Sequence, residues 1–112
     1  MSDPEAGQIA DLTALVSNVS DLYAARMDIT RDDLWYLAKL SEELGELTSA
    51  WLSAHGRGRS RGLDQTALAG AVENEAADLF AFLLLFAARE GIDLDGALRR
   101  KWGRWTSETS SS

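Results

Sequence analysis

Apolar residues recur every three or four positions along most of the chain, which is the spacing of one side of an α-helix. Four such segments follow one another, and the first runs from about Gly7 to Met27. The only proline is Pro4, so no later proline interrupts the helical pattern. The pattern predicts an all-α fold. The first segment is expected to be a packing helix without chemistry, and its apolar side consists of Ile9, Leu12, Val16, Val19 and Tyr23.

The second predicted helix has Thr30 as its candidate N-cap, because a threonine hydroxyl can accept a hydrogen bond from an amide of the first turn. Asp32 and Asp33 would lie in that turn, near the positive end of the helix dipole, with Asp33 at the capping-box position. His55 would lie at the carboxyl end of the helix. The core stripe of this helix is expected to be Leu37, Leu40, Leu44, Leu47 and Trp51.

The third predicted helix begins after Asp64, a candidate N-cap, and ends before Gly91, a residue that suits the left-handed conformation after a helix. From Leu79 onward it is apolar on nearly all sides, which is more than one short neighbour could cover. We therefore expect an obligate oligomer with a symmetric interface. The expected apolar stripes are Leu68, Val72, Leu79, Leu83 and Phe86 and, in a fourth helix capped by Asp93, Leu94, Leu98, Trp102 and Trp105.

A glycine- and arginine-rich stretch, SAHGRGRSRGLD, separates the second and third helices and has no apolar periodicity before Leu63. It is therefore expected to be a flexible loop. Its arginines, Arg57, Arg59 and Arg61, could form a solvated basic connector or a lid whose guanidinium groups meet phosphate oxygens. The pattern leaves both possibilities open.

Length, composition and net charge exclude several kinds of metal site and binding partner. A chain of 112 residues is expected to be one domain, with residues 1–6 and 107–112 flexible. It has no cysteine and one histidine, which excludes a thiolate zinc site and two-histidine metal motifs. The net charge of −7 argues against binding to nucleic acid or to an anionic membrane. Because no leader pattern opens the chain and no apolar run could span a bilayer, we expect a soluble cytoplasmic protein.

Five acidic residues form two clusters: Glu42, Glu43 and Glu46 in SEELGEL, and Glu75 and Asp78 in ENEAADLF. Each cluster contains a pair at positions i and i+3, so each helix would present two carboxylates to one side. Like charges at i and i+4 weaken a helix by roughly 0.2–0.5 kcal/mol per pair. A cluster of five acidic residues therefore needs a positively charged partner that offsets this repulsion. A hard divalent cation such as Mg²⁺ or Mn²⁺ is the simplest one.

The predicted directions of the acidic side chains around their helices also favour a metal site. At about 100° per residue, Glu75 lies within about 40° of Leu79, inside the apolar stripe of its helix. A charge there costs several kcal/mol unless it is paired or bound to a metal. Glu43 and Glu46 would border the core of the second helix, whereas Glu42 would point nearly away from it.

These motifs carry a resemblance over roughly residues 34–104. The order is Glu42-Glu43-x-x-Glu46, then 28 residues, then Glu75-x-x-Asp78, followed by an apolar helix, GIDL and a helix that contains a lysine. In this order the chain resembles the MazG-like all-α nucleoside triphosphate pyrophosphohydrolases. The resemblance implies a four-helix MazG-like bundle completed by oligomerisation into dimers or dimers of dimers. It also implies cleavage of the α–β phosphoanhydride of a nucleoside triphosphate to a monophosphate and pyrophosphate.

The resemblance also assigns roles. It implies that Glu43, Glu46, Glu75 and Asp78 hold Mg²⁺, or Mn²⁺, and that Glu42 orients or deprotonates a water or holds a further ion. Lys101 matches the lysine that follows the IDL segment in the family and is expected near phosphate. An asparagine that often lies four residues further on in the family is Trp105 here. The full set of phosphate-contact candidates is Lys39, Lys101 and Arg104, and the aromatic residues that could stack on a base are Trp35 and Phe82.

Two other functions stay open. The first is a phosphoribosyl-ATP pyrophosphohydrolase, a related enzyme that would use the acidic residues to bind metal in the same way. The second is a non-catalytic helical module for oligomerisation or metal binding, in which Glu75 would be buried beside Arg89 or Lys39 of another chain.

Overall fold

The computed structural model describes residues 4–59 and 62–110, and these form helices joined by short loops, without a strand. The all-α fold class is therefore confirmed for the described part of the chain. No helix in that part is both long and apolar enough to span a membrane. The four helices are α1, Pro4–Met27; α2, Asp33–Ala54; α3, Gln65–Glu90; and α4, Leu94–Ser110.

The ends that were predicted to be flexible, residues 1–6 and 107–112, lie partly outside the described residues, and their mobility stays a prediction. Arg61 of the basic loop also lies outside them.

Helices α2 and α3 pack side by side as an antiparallel hairpin. Near the end of α3, Arg89 donates from Nε to Oδ1 of Asp33, the first residue of α2, at 2.7 Å. The same guanidinium lies 5.4 Å from the centre of the Tyr36 ring. About two turns earlier along α3, the ring of Phe82 meets that of Trp35 edge to face at 5.8 Å. These contacts hold the start of α2 against the second half of α3.

Most of the predicted helix boundaries are confirmed by their hydrogen bonds. Asp64 caps α3 by accepting from the amide of Ala67 at 2.8 Å, and Gly91 ends that helix with φ of 68°. Asp93 accepts from the amide of Gly96 at 3.1 Å, as expected for the cap of α4. These boundaries were predictable because a cap depends on a few residues next to each other in the chain.

The predicted N-cap of α2 was wrong. Asp32, not Thr30, precedes the first helical residue, and its Oδ1 accepts from the amide of Trp35 at 2.8 Å. Asp33 is therefore the first residue of the helix and does not occupy a capping-box position. An aspartate carboxylate is at least as good a cap as a threonine hydroxyl, and here it lies in the extended conformation that a cap requires.

The buried side of α2 differs from the predicted stripe. Tyr36 and Glu43 are its buried residues, so the buried side is turned by about 70° from the predicted leucine stripe at 100° per residue. Three members of that stripe remain exposed to solvent, and these are Leu37 at 45%, Leu44 at 54% and Trp51 at 42%. They recur every seventh residue and form the leucine ridge of α2.

Helix α1 covers part of the second half of α3. Ile9 and Thr13 border the same small groove as Leu84 and Ala87, which are both buried. Next to this groove, Phe80 and Leu83 of α3 remain partly exposed and border a second groove beside α4, which Ile9 also lines. The apolar circumference of α3 is therefore covered by α1 and α2 only in part.

The chain is extended for its size. Its radius of gyration is 17.4 Å, whereas a compact domain of this length has about 13 Å. Its accessible surface is 8391 Å², compared with about 6,100 Å² for a compact monomer of 12.2 kDa. Large apolar side chains are exposed on every helix, and on α1 and α4 these include Leu15, Val19, Leu22, Leu98 and Trp102. One copy of the chain therefore leaves much apolar surface without a partner.

Leu84 should be the side chain on which the stability of the hairpin depends most, because it is only 2% exposed. We expect Leu84→Ala to lower the free energy of unfolding by about 2–5 kcal/mol, through lost burial and the cavity that remains. The matched control Leu34→Ala, at a position 71% exposed, should change it by less than about 1 kcal/mol. Urea denaturation followed by circular dichroism measures both, and equal losses would contradict this account of the core.

Candidate metal centre

Three carboxylates from two helices converge at the middle of the α2–α3 hairpin. Glu43 of α2 and Glu75 and Asp78 of α3 each place a carboxylate oxygen within 4.8 Å of the other two. Ligand oxygens on opposite sides of a Mg²⁺ ion lie about 4.2 Å apart, since each is about 2.1 Å from the metal. A small rotation of the side chains would therefore let the three acids share one cation.

The three acids differ in burial. Glu43 is the most buried at 9% exposure, Glu75 is half-buried and Asp78 is exposed. The sequence pattern pointed to Glu75 as the acid in the apolar seam, but Glu43 is buried more deeply because the buried side of α2 includes it. The cluster therefore has a closed end at Glu43 and an open end at Asp78, through which an ion or a substrate oxygen could enter.

The pKa of Glu43 is raised above its ordinary value. Burial is the largest cause, followed by the negative charges of Asp78 and then Glu75, and by hydrogen bonding with the side chain of Glu75. The nearby ammonium of Lys39 lowers the pKa, but its effect is smaller. Without a cation, the cluster is thus an electrostatically unfavourable arrangement, and an all-oxygen donor set of this kind suits Mg²⁺ or Mn²⁺.

The two other acids of the SEELGEL segment lie outside this group of three. Glu46 is exposed, about 60° around α2 from Glu43 at 100° per residue, and borders a groove together with Glu75. Glu42 is also exposed, and its Oε2 lies 3.4 Å from Nζ of Lys39. The roles expected for Glu46 as a metal ligand and for Glu42 as a catalytic acid or base stay predictions.

Lys39, Trp35 and Phe82 are brought together beside the acids. Nζ of Lys39 lies 5.4 Å from the centre of the Phe82 ring and 6.0 Å from that of Trp35. All three side chains border a groove of about 720 Å³, which we call the aromatic groove. Its lining also contains Glu43 and Asp78 of the cluster. The two residues predicted to stack on a base thus share one groove with two of the three converging acids.

The aromatic groove has a wall that the sequence did not predict. Val16, Val19, Ser20 and Tyr23 of α1 line it opposite the hairpin. Sequence reasoning gave α1 no role beyond packing, because no motif in it suggests chemistry. Only the way α1 packs against α3 places these residues near the acids, so no local signal could have identified them.

Lys101 and Arg104 are not brought to the cluster within one chain. Both are exposed on α4, and the guanidinium of Arg104 lies 4.8 Å from the centre of the Trp105 ring. Helix α4 borders Phe80 and Leu83, which point away from the acidic side of α3. A contact between these cations and a phosphate at the cluster would therefore require a second copy of the chain.

Magnesium should stabilise the folded chain through the three acids. At a concentration 100 times its dissociation constant, a ligand of the native state adds about 2.7 kcal/mol to the free energy of unfolding. Glu43→Gln should abolish this gain, and should stabilise the metal-free chain by roughly 1 kcal/mol, because it removes a buried charge beside two like charges.

Thermal unfolding with and without Mg²⁺, together with calorimetric titration, measures both effects. The control is Glu73→Gln, the same substitution at an exposed position two residues before Glu75, which should respond to Mg²⁺ as the unmodified chain does. If Glu43→Gln keeps the stabilisation by Mg²⁺, the three acids are not a metal centre.

No family model, curated protein or solved structure matches this chain.

Proposed function

We propose that this chain is a Mg²⁺-dependent nucleoside triphosphate pyrophosphohydrolase that acts on cytoplasmic nucleotides as a homo-oligomer with a MazG-like bundle. The observation that carries the proposal is the convergence of Glu43, Glu75 and Asp78 next to a groove lined by Trp35 and Phe82. Acids that can hold a cation and rings that can stack on a base are the two parts that a nucleotide site needs.

The reaction consumes one water and balances without a redox partner. The water oxygen forms a bond to the α-phosphorus. The bond between that phosphorus and the oxygen that bridges it to the β-phosphorus breaks, and its electron pair leaves on pyrophosphate. The products are a nucleoside monophosphate, pyrophosphate and one proton. When bound, Mg²⁺ or Mn²⁺ would neutralise phosphate charge and lower the pKa of a coordinated water. The three converging acids would hold the ion, and Glu42 is the candidate for accepting the proton.

Electrostatics favours a phosphorylated substrate at this site only together with cations. The three acids would repel a triphosphate, which carries several negative charges. Lys39, which is half-buried beside the cluster, supplies one positive charge to the aromatic groove. Of the phosphate-contact candidates, it is therefore the one that lies beside the three acids within a single chain.

The extended shape supports the oligomer. One copy exposes about 2,300 Å² more than a compact monomer of its mass would. Burying that excess on both copies would give an interface in the range of obligate homodimers. A dimer or a dimer of dimers could also bring Lys101 and Arg104 of one copy to the cluster of another. The same surface is what a non-catalytic oligomerisation module would show, so hydrolysis decides between the two functions.

The decisive experiment measures products from a panel of nucleoside triphosphates with Mg²⁺. We expect monophosphate and pyrophosphate, and we expect Glu75→Gln to lower kcat/KM by at least about a hundredfold, because a metal ligand is lost. Glu73→Gln should keep the activity. Diphosphate as the product would exclude the assigned bond, and preferential turnover of phosphoribosyl-ATP would favour the related enzyme.

If the chain forms a homo-oligomer, we expect sedimentation experiments to give a particle mass of at least twice 12.2 kDa, the mass of one chain. Leu44→Glu places a charge in the middle of the exposed leucine ridge of α2 and should shift the chain towards monomers. Ala38→Glu, at an exposed position about 120° around α2 from that residue, is the control and should leave the mass unchanged. A monomeric unmodified chain would contradict the proposed assembly.

A further inference from the structure

The three acids lie between two grooves on one side of the hairpin. Glu43 and Asp78 line the aromatic groove, whereas Glu75 lines a second groove of about 540 Å³ near the loop between α2 and α3. We call this second one the loop groove. Both grooves are open on the same side of the hairpin, because Trp35 and Glu46 lie on one side of α2 at 100° per residue. The same holds for α3, where Ala71, Glu75, Asp78 and Phe82 share a side.

The two grooves differ in chemistry. The aromatic groove is lined mainly by rings and aliphatic side chains from three helices. The loop groove is lined by several small and hydroxyl-bearing residues, including Ser49 and Ser53, and by Arg59. Arg59 is the only cation in that lining, it is exposed, and it forms no ion pair with the described residues. One end of the site thus suits a flat apolar group, and the other suits an anion.

We propose that the substrate spans both grooves, with its base in the aromatic groove, its phosphate chain passing the three acids, and its terminal phosphate at Arg59. This inference rests on the proposed function and adds the direction in which the substrate lies. A guanidinium group can donate two parallel hydrogen bonds to phosphate, which gives it a preference for the end of the chain that carries the most exposed oxygens.

The aromatic groove also determines what kind of selectivity is possible. Besides the two acids, the side chains in its lining that can form hydrogen bonds are Ser20, Tyr23, Trp35 and Lys39, and the hydroxyl of Ser20 already accepts a hydrogen bond from Arg31 at 2.8 Å. The described lining contains no asparagine, glutamine or histidine that could read the edge of a base. Because stacking is possible for every base, we expect the phosphate chain, rather than the base, to determine which substrates bind.

The phosphate end is tested with Arg59→Ala and its matched control Arg57→Ala, which changes an exposed arginine of the same loop that lines neither groove. The measurement is kcat/KM for a nucleoside triphosphate and for the corresponding diphosphate. We expect Arg59→Ala to reduce the preference for the triphosphate about tenfold, and Arg57→Ala to leave it unchanged. Circular dichroism confirms that both variants fold.

The outcomes separate this inference from the proposed function. If the unmodified chain hydrolyses triphosphates and Arg59→Ala behaves like Arg57→Ala, the direction of the substrate is wrong while the function stands. If the unmodified chain hydrolyses nothing, the function fails. Calorimetric titration of α,β-methylene tri- and diphosphates with Mg²⁺ then decides the direction through the same two variants.

The base end is tested with Phe82→Leu and the matched control Phe80→Leu, which makes the same change on the other side of α3. Phe82→Leu should raise KM for purine and pyrimidine triphosphates alike, and Phe80→Leu should not. Across the four common bases, kcat/KM should vary by no more than about 200-fold in the unmodified chain, as for pockets without directed hydrogen bonds. A preference of ten-thousandfold for one base, or an unchanged KM in Phe82→Leu, would overturn the inference.

Discussion

The repulsion among three carboxylates at the centre of the α2–α3 hairpin is the constraint on which the rest of the molecule depends. Glu43 is buried between the helices with Glu75 and Asp78 beside it, and burial and like charges together raise its pKa. Such a cluster is retained only if the surrounding contacts hold it together. Those contacts lie towards one end of the hairpin, where Leu84 is buried and Arg89 reaches the start of α2.

The two sides of the hairpin therefore have different physical roles. One side carries the acids and both grooves, so its polar groups remain accessible to ions and solutes. Elsewhere, the leucine ridge of α2 and the side chains of Leu98 and Trp102 on α4 are exposed to solvent. Apolar surface of this extent is rare on a monomer, which supports the proposed assembly. The proposed assembly surface on α2 and α4 is separate from the surface that carries the acids.

Local features of the fold could be predicted from neighbouring residues. The apolar spacing indicated four helices, and Asp64, Gly91 and Asp93 marked their boundaries, because helix propensity and capping act over a few residues. The i, i+3 spacing within ENEAADLF likewise predicted that Glu75 and Asp78 share a side of α3. Glu46 was grouped with them by the same rule, yet α2 turns a different side towards α3 and leaves it outside the group of three.

By itself, the sequence determined which residues become helical and which acids can share a side of a helix. Both depend only on residues that are close together in the chain. Only the tertiary structure decided which side of each helix is buried, since that depends on the shapes of the surfaces that meet. This is why Tyr36 and Glu43 are buried while Leu37 and Leu44 are exposed. It is also why α1 forms a wall of the aromatic groove, a role that depends on contacts between residues distant in the chain.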